Sequence, residues 1–109
     1  MQTESFIQSC TDMLDDRMFA ALQDPARVAI LRRMFALGRA DISSIAEGFP
    51  QDRSVISRHI RILREAGIVS CENVGRQTLC DVDGPAILRR LEAMTEQMRA
   101  VVAACCPEE

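Results

Sequence analysis

The sequence predicts a mainly α-helical domain with one small β-hairpin, and three observations predict it. Apolar residues recur at spacings of three and four along most of the 109 residues, as on one-sided helices. The period falls to two only across 68–82, on either side of a Gly-Arg pair, as in a hairpin. The length suits one core and no more, and 48% apolar with 27% charged residues is the balance of a globular protein. Residues 1–109 are therefore expected to form a single domain.

The first helix is expected over 6–22. Ile7, Cys10, Leu14, Met18 and Ala21 form its stripe, widened by Phe6, Met13 and Leu22. Asp24-Pro25 stops it and opens a second helix over 25–37, because Asp caps well and Pro suits the first helical position. Val28, Ile30, Leu31, Met34 and Leu37 follow before Gly38 ends it. A short third helix over 42–47 holds Ile42, Ile45 and Ala46 and breaks at Gly48-Phe49-Pro50. Asp52 caps a fourth over 53–66, with Ile56, Ile60 and Leu63 inside and Ser54, Ser57, Arg58, Arg61 and Glu65 outside. Strands over 68–72 and 77–82 follow. Gly84-Pro85 opens a last helix that ends near Pro107. Its apolar residues Ile87, Leu91, Met94, Met98, Val101 and Cys105 alternate spacings of four and three, a heptad seam that calls for a partner helix.

The net charge is −3, which on its own argues against a nucleic-acid partner, but it is unevenly placed. Residues 53–76 carry five Arg against two Glu, between acidic ends, so the local patch decides. Segments 41–66 form a helix-turn-helix whose second helix bears arginines outward, and the 67–82 hairpin behind it forms a wing with Arg76 at its tip. A polar, Arg-bearing helix suits the major groove, and a wing arginine reaches phosphate or the minor groove. Arg53, Ser54, Ser57, Arg58, His59, Arg61 and Arg76 are the candidate DNA contacts, and His59 reads equally as a brace for the helix. Segments 1–22 and 84–106 are the expected dimerisation helices. The expected partners are a second copy of the chain and an inverted-repeat duplex, with no membrane. No apolar run approaches the ~18 residues of a span. The opening residues lack the basic region of a secretory signal, so a reducing cytoplasm is expected and a disulfide framework is not.

Residues 21–31 (ALQDPARVAIL), 57–69 (SRHIRILREAGIV) and the Gly75-Arg76 and Leu79-Cys80-Asp81-Val82 of the wing resemble the ArsR/SmtB repressors. The likeness spans residues 18–83. It implies a winged-helix homodimer, held by its first and last helices, that leaves its operator when an inducer binds. In that family the inducer is often a soft metal or metalloid ion. The family's cysteine-bearing metal box would fall on Ala40–Ala46, which holds no cysteine, and its zinc site on the last helix is absent.

The five cysteines are the remaining candidates for an inducer site. Cys105-Cys106 is a vicinal pair on the last helix, and Cys10 lies on the first. Three such thiolates suit trivalent arsenic or antimony, or another thiophilic ion, while zinc would want a fourth ligand. DNA binding itself is expected to need no cofactor. Cys105 also reads as a seam residue. Cys71 and Cys80 face each other across the hairpin, as a metal-binding or oxidisable pair or as core. A repressor of the same fold switched by thiol oxidation or by reactive sulfur is the alternative function. A thiol enzyme is disfavoured, since there is no C-x-x-C and no Ser/His/Asp set.

Overall fold

The computed structural model describes residues 3–14 and 16–105. Among these residues six helices and three strands follow the order α1 (Thr3–Leu14), α2 (Arg17–Ala21), α3 (Pro25–Leu37), β1 (Ala40–Asp41), α4 (Ile42–Ala46), α5 (Arg53–Glu65), β2 (Val69–Val74), β3 (Gln77–Val82) and α6 (Gly84–Cys105). The strands form one antiparallel sheet in the order β1-β3-β2.

The expected first helix is two helices. Asp16 leaves helical geometry, and its side chain accepts a hydrogen bond from the Met18 N–H at 2.8 Å. That local cap competes with a continuous helix. Asp24 caps α3 in the same way through the Ala26 N–H, with Pro25 behind it. The strand β1 has only two residues, too few to show a period. The Phe6 side chain and Cys106 lie outside the described residues.

The core is built on α5. Ile56, Ile60 and Leu63 are buried against Ile30 and Met34 of α3, Ile45 of α4, and Ile68, Val69 and Cys80 of the hairpin. Each such side chain contributes about 1.5–3 kcal/mol on leaving water. Gly67 ends α5 with the Gly67 N–H donating to the Arg64 carbonyl and the Ile68 N–H donating to Leu63, both at 3.0 Å, and the chain enters β2.

Outside this head, α6 buries none of its residues fully. Its 22 residues span ~33 Å, which accounts for an elongated molecule of 56 × 23 × 23 Å. The expected seam divides. Ile87, Met94 and Val101, seven apart, are half-buried, and the first two pack against the core of the head. Leu88, Leu91, Met98 and Val102 stay 41–56% exposed. On the near side Arg90 pairs with Asp16. Burial pushes the Asp16 carboxyl up, but the Arg90 guanidinium and the Met18 N–H outweigh it and hold the group below its ordinary 3.8.

A carboxyl with a lowered pKa stabilises the fold above its ordinary value and loses that contribution as pH falls through the folded value. Asp16→Asn keeps a capping side chain but removes the charge. In urea titrations the variant should be less stable than the parent by up to about 1 kcal/mol at pH 7, since Arg90 is half-exposed. The gap should close below pH 3.8.

Candidate nucleic-acid interface

One-sided burial of α5 fixes which of its residues face out. With 100° between neighbours, Ser54, Arg58, Arg61 and Glu65 share the face opposite Ile56 and Ile60, and all four are exposed. Ser57 and Arg64 lie on the flank toward the hairpin, and Arg53 stands exposed at the first turn. Ser54, Ser57, Arg58, Arg61 and Arg64 line a groove of about 320 Å³, closed on the far side by Cys71 and Thr78 of the wing. The groove thus joins the helix to the hairpin in one basic surface.

His59 lies on the opposite flank. It is half-buried, and its Nδ1 is 3.4 Å from Arg27 Nη1. Arg27 also donates from Nε to the Ala21 carbonyl at 2.8 Å and lies 3.5 Å from Asp24. This arrangement places His59 as a brace between α5 and the start of α3, the other of its two readings.

Two side chains hold α4 in place, one from α3 and one that links it to the wing. Arg33 of α3 donates from Nε to the Ile45 carbonyl at 2.8 Å and from Nη2 to Ser44 at 2.7 Å, satisfying the end of α4 that has no helical partner. It crosses the turn so closely that a Cβ on Gly48 would sit 2.6 Å from Arg33 Cδ. Asp41 caps α4 from Oδ1 through the Ser44 N–H at 2.9 Å and accepts from Gln77 Nε2 at 3.1 Å on Oδ2. The Ser44 hydrogen bonds, then Gln77 and the charge of Arg53, hold the Asp41 carboxyl below its usual value.

The wing pairs Val69 with Val82, Cys71 with Cys80 and Val74 with Gln77. Gly75 has φ of +62°, the glycine-first form of a two-residue turn, and Arg76 follows it exposed at the tip. Cys71 and Cys80 are opposite, as the spacing indicates, with Cα atoms 4.1 Å apart, and they are disulfide-bonded. No disulfide is expected from the sequence, and for this pair that expectation is corrected: directly paired strands bring the two sulfurs within bonding reach.

Among the described residues Cys10 and Cys105 are free. Cys10 is half-buried and Cys105 exposed. Met13 and Met94 line one cavity between α1 and α6. Cys105 stands eleven residues beyond Met94, ~16 Å along the axis, and Cys10 only three from Met13, so one protomer does not bring them together. No group of three His, Cys, Asp or Glu among the described residues could hold a metal ion. Sequence reasoning missed Arg64, three residues from Arg61 and seven from Ser57 on the same stripe. It also missed Thr78 and the Asp41–Gln77 link, for which no periodic signal exists.

The family model of the bacterial regulatory proteins of the arsR family matches residues 24–70, from the cap of α3 to the start of β2. The HTH-type transcriptional regulator Rv2034 of Mycobacterium tuberculosis is 33% identical over 76 residues, 68% of this chain and 70% of that protein. The chain belongs to the ArsR family. A solved structure described as a possible transcriptional regulator for arsenical resistance is 28% identical, with a TM-score of 0.62 over 83% of this chain and 96% of the other. The homodimeric winged helix-turn-helix DNA-binding domain Mb0332 of Mycobacterium bovis, a possible ArsR-family regulator, matches with a TM-score of 0.60 over 99% of this chain and 92% of its own. At 15% identity it shows the shared fold alone. This ArsR-family chain is a DNA-binding transcriptional regulator and not an enzyme. No helix among the described residues is long and apolar enough to cross a membrane.

Arg58, Arg61 and Arg76 project from this surface without an ion-pair partner among the described residues, so their charges are available to phosphate. Fluorescence anisotropy against salt, on a duplex that the protein selects from a random pool, should show each Arg→Ala change weakening binding. A residue on phosphate lowers the salt slope by about one unit. An unchanged slope for Arg76→Ala would remove the wing tip from the backbone contacts.

Proposed function

We propose that this ArsR-family regulator is a homodimeric repressor that binds an inverted-repeat operator and leaves it when a soft metalloid ion reaches its thiols. The observation that carries the DNA reading is the single basic surface shared by α5 and the wing. An uncovered apolar stripe on α6 supports the dimer. Leu91, Met98 and Cys105 stand seven residues apart on it, and Leu88 and Val102 flank them. A stripe this long on a monomer would be an exposed patch of the kind that marks an interface.

Arg58, Arg61 and Ser54 read base edges and phosphate in the major groove, and Arg76 reaches the flanking backbone. Two copies of the reader related by a dyad ask for half-sites about 10–11 base pairs apart or a multiple of that. For the inducer, Cys105 and Cys106 of one protomer and Cys10 of the facing one supply three soft ligands, the number that trivalent arsenic or antimony takes. The separation of Cys10 from Cys105 within one chain is what makes the site depend on the dimer. The likeness to a regulator whose description names arsenical resistance supports the same ion class. An ion joining the ends of the interface helices re-aims the two heads, and a coupling of ~1–3 kcal/mol lowers operator affinity 5- to 150-fold. A second reading, in which thiol oxidation is the signal, is favoured by the bonded Cys71–Cys80 pair.

The dimer is checked by sedimentation of Leu91→Glu/Met98→Glu, which removes the uncovered stripe and spares the half-buried Met94. It should sediment as a monomer and lose most of its DNA affinity. The inducer is checked by release titrations with trivalent arsenic, antimony, cadmium and zinc. Cys105→Ser/Cys106→Ser should bind DNA as the parent does and fail to respond to arsenic or antimony. For the parent, ion affinity should rise with pH because thiolates are needed. A normal arsenic response of the double variant would remove these thiols from the site.

A further inference from the structure

The Cys71–Cys80 pair sits where the wing loses its third strand. β1 reaches only Leu79 and Cys80. Beyond Leu79 the hairpin is a two-stranded ribbon that carries Arg76 at its end, and such a ribbon alone is marginal in water. Its other ties are polar and near the surface: Thr78 Oγ1 donates to Asn73 Oδ1 at 3.0 Å, Gln77 donates to Asp41, and Arg39 pairs with Glu72. The two sulfurs differ in access. Cys80 is fully buried, whereas Cys71 is half-buried and opens on the groove lined by Arg58, Arg61 and Arg64. Positive charge nearby favours a thiolate, the form that attacks an oxidant.

We propose that Cys71 and Cys80 form a peroxide-sensitive pair that sets the grip of the reader on DNA by fixing or freeing the root of the wing. The inference rests on the DNA-binding reading above and gives the oxidation reading a place and a direction. In the reduced protein the Cys71 thiolate attacks a peroxide oxygen. The O–O bond breaks, Cys71 becomes a sulfenic acid, and the other oxygen leaves as water after taking a proton. Cys80, held opposite, then attacks the Cys71 sulfur. The S–S bond forms, the S–O bond breaks, and the second water leaves. Two thiols have lost two electrons and two protons, and hydrogen peroxide has become two waters.

The bond ties the ribbon inside its three-stranded part, one residue before β1 ends, and holds Arg76 in register with α5. A wing held in its bound geometry loses less freedom on binding, so the oxidised form binds more tightly. Reduction frees the ribbon, and the contact of Arg76 with phosphate weakens.

The test uses the full chain, reduced with dithiothreitol, desalted, and treated or not with equimolar hydrogen peroxide. Trypsin cuts after Arg64, Arg76 and Arg89, which puts Cys71 in peptide 65–76 and Cys80 in peptide 77–89. Mass spectrometry of alkylated, unreduced digests should find these two peptides joined only after peroxide. Anisotropy with a labelled 30-base-pair duplex that the protein selects from a random pool should show the oxidised form binding about three- to tenfold more tightly. Its salt slope should be steeper by about one unit. Cys71→Ser should stay at the reduced affinity with or without peroxide. Cys80→Ala, checked for folding by circular dichroism, should do the same. Cys10→Ser/Cys105→Ser/Cys106→Ser should keep the full response, and Arg76→Ala should lose the difference in slope. Joined peptides with unchanged affinity and slope would overturn the proposal, as would weaker binding on oxidation or a response that survives Cys71→Ser. Binding to no duplex in either state would instead overturn the regulator reading beneath it.

Discussion

The burial of one face of α5 is the constraint on which the molecule depends. Ile56, Ile60 and Leu63 take up the inner side of the helix completely, and helical geometry then leaves the opposite residues no place but solvent. Packing and recognition are two sides of one periodicity. The segments around α5 serve this face. α3 and α4 supply Ile30, Met34 and Ile45, and the hairpin closes the end of the core with Ile68, Val69 and Cys80. Arg33 and Asp41 act at the margins, where backbone groups at the ends of α4 need partners.

A protein with net charge −3 binds polyanionic DNA only if its charge is sorted. Sorting occurs along the chain and again in space. α1 runs along α6 and Asp16 pairs with Arg90 there, while Asp41 and Glu72 are taken up by Gln77 and Arg39. Glu65 remains exposed at the far end of the outer face, which confines the basic surface to the first three turns of α5 and the wing.

Long elements and their inner faces were legible in the sequence, because periodicity reports burial. The inner residues of α5, the hairpin centred on Gly75-Arg76, and the opposition of Cys71 and Cys80 were all readable in this way. Short-range competition was not. Asp16 sits inside an unbroken apolar pattern, and its cap on the Met18 N–H opens α2 where the pattern shows no start. The two residues of β1 carry no period, so the third strand was invisible. The heptad of α6 was visible, but its division was not. Which apolar residues turn toward α1 depends on the approach of another helix, and sequence spacing alone does not contain that. His59 shows the same limit: its place in a basic segment left it open between DNA contact and brace, and only the position of Arg27 sets its ring against the start of α3.

The absence of any loop between β1 and α4 has a mechanical consequence. Asp41 ends the strand, caps the helix, and receives Gln77 from the wing. With the Cys71–Cys80 bond in place, the first helix of the helix-turn-helix and the hairpin therefore behave as one rigid bracket around α5, with Arg33 as a strut across the remaining turn. The hinges are pushed outward, to Asp16 at the start of α2 and to the junction at 83–84 where the head meets its long last helix. Forces on α1 and α6 then swing the head as a whole, so that the spacing between two readers can change while the fit of each reader to its groove does not.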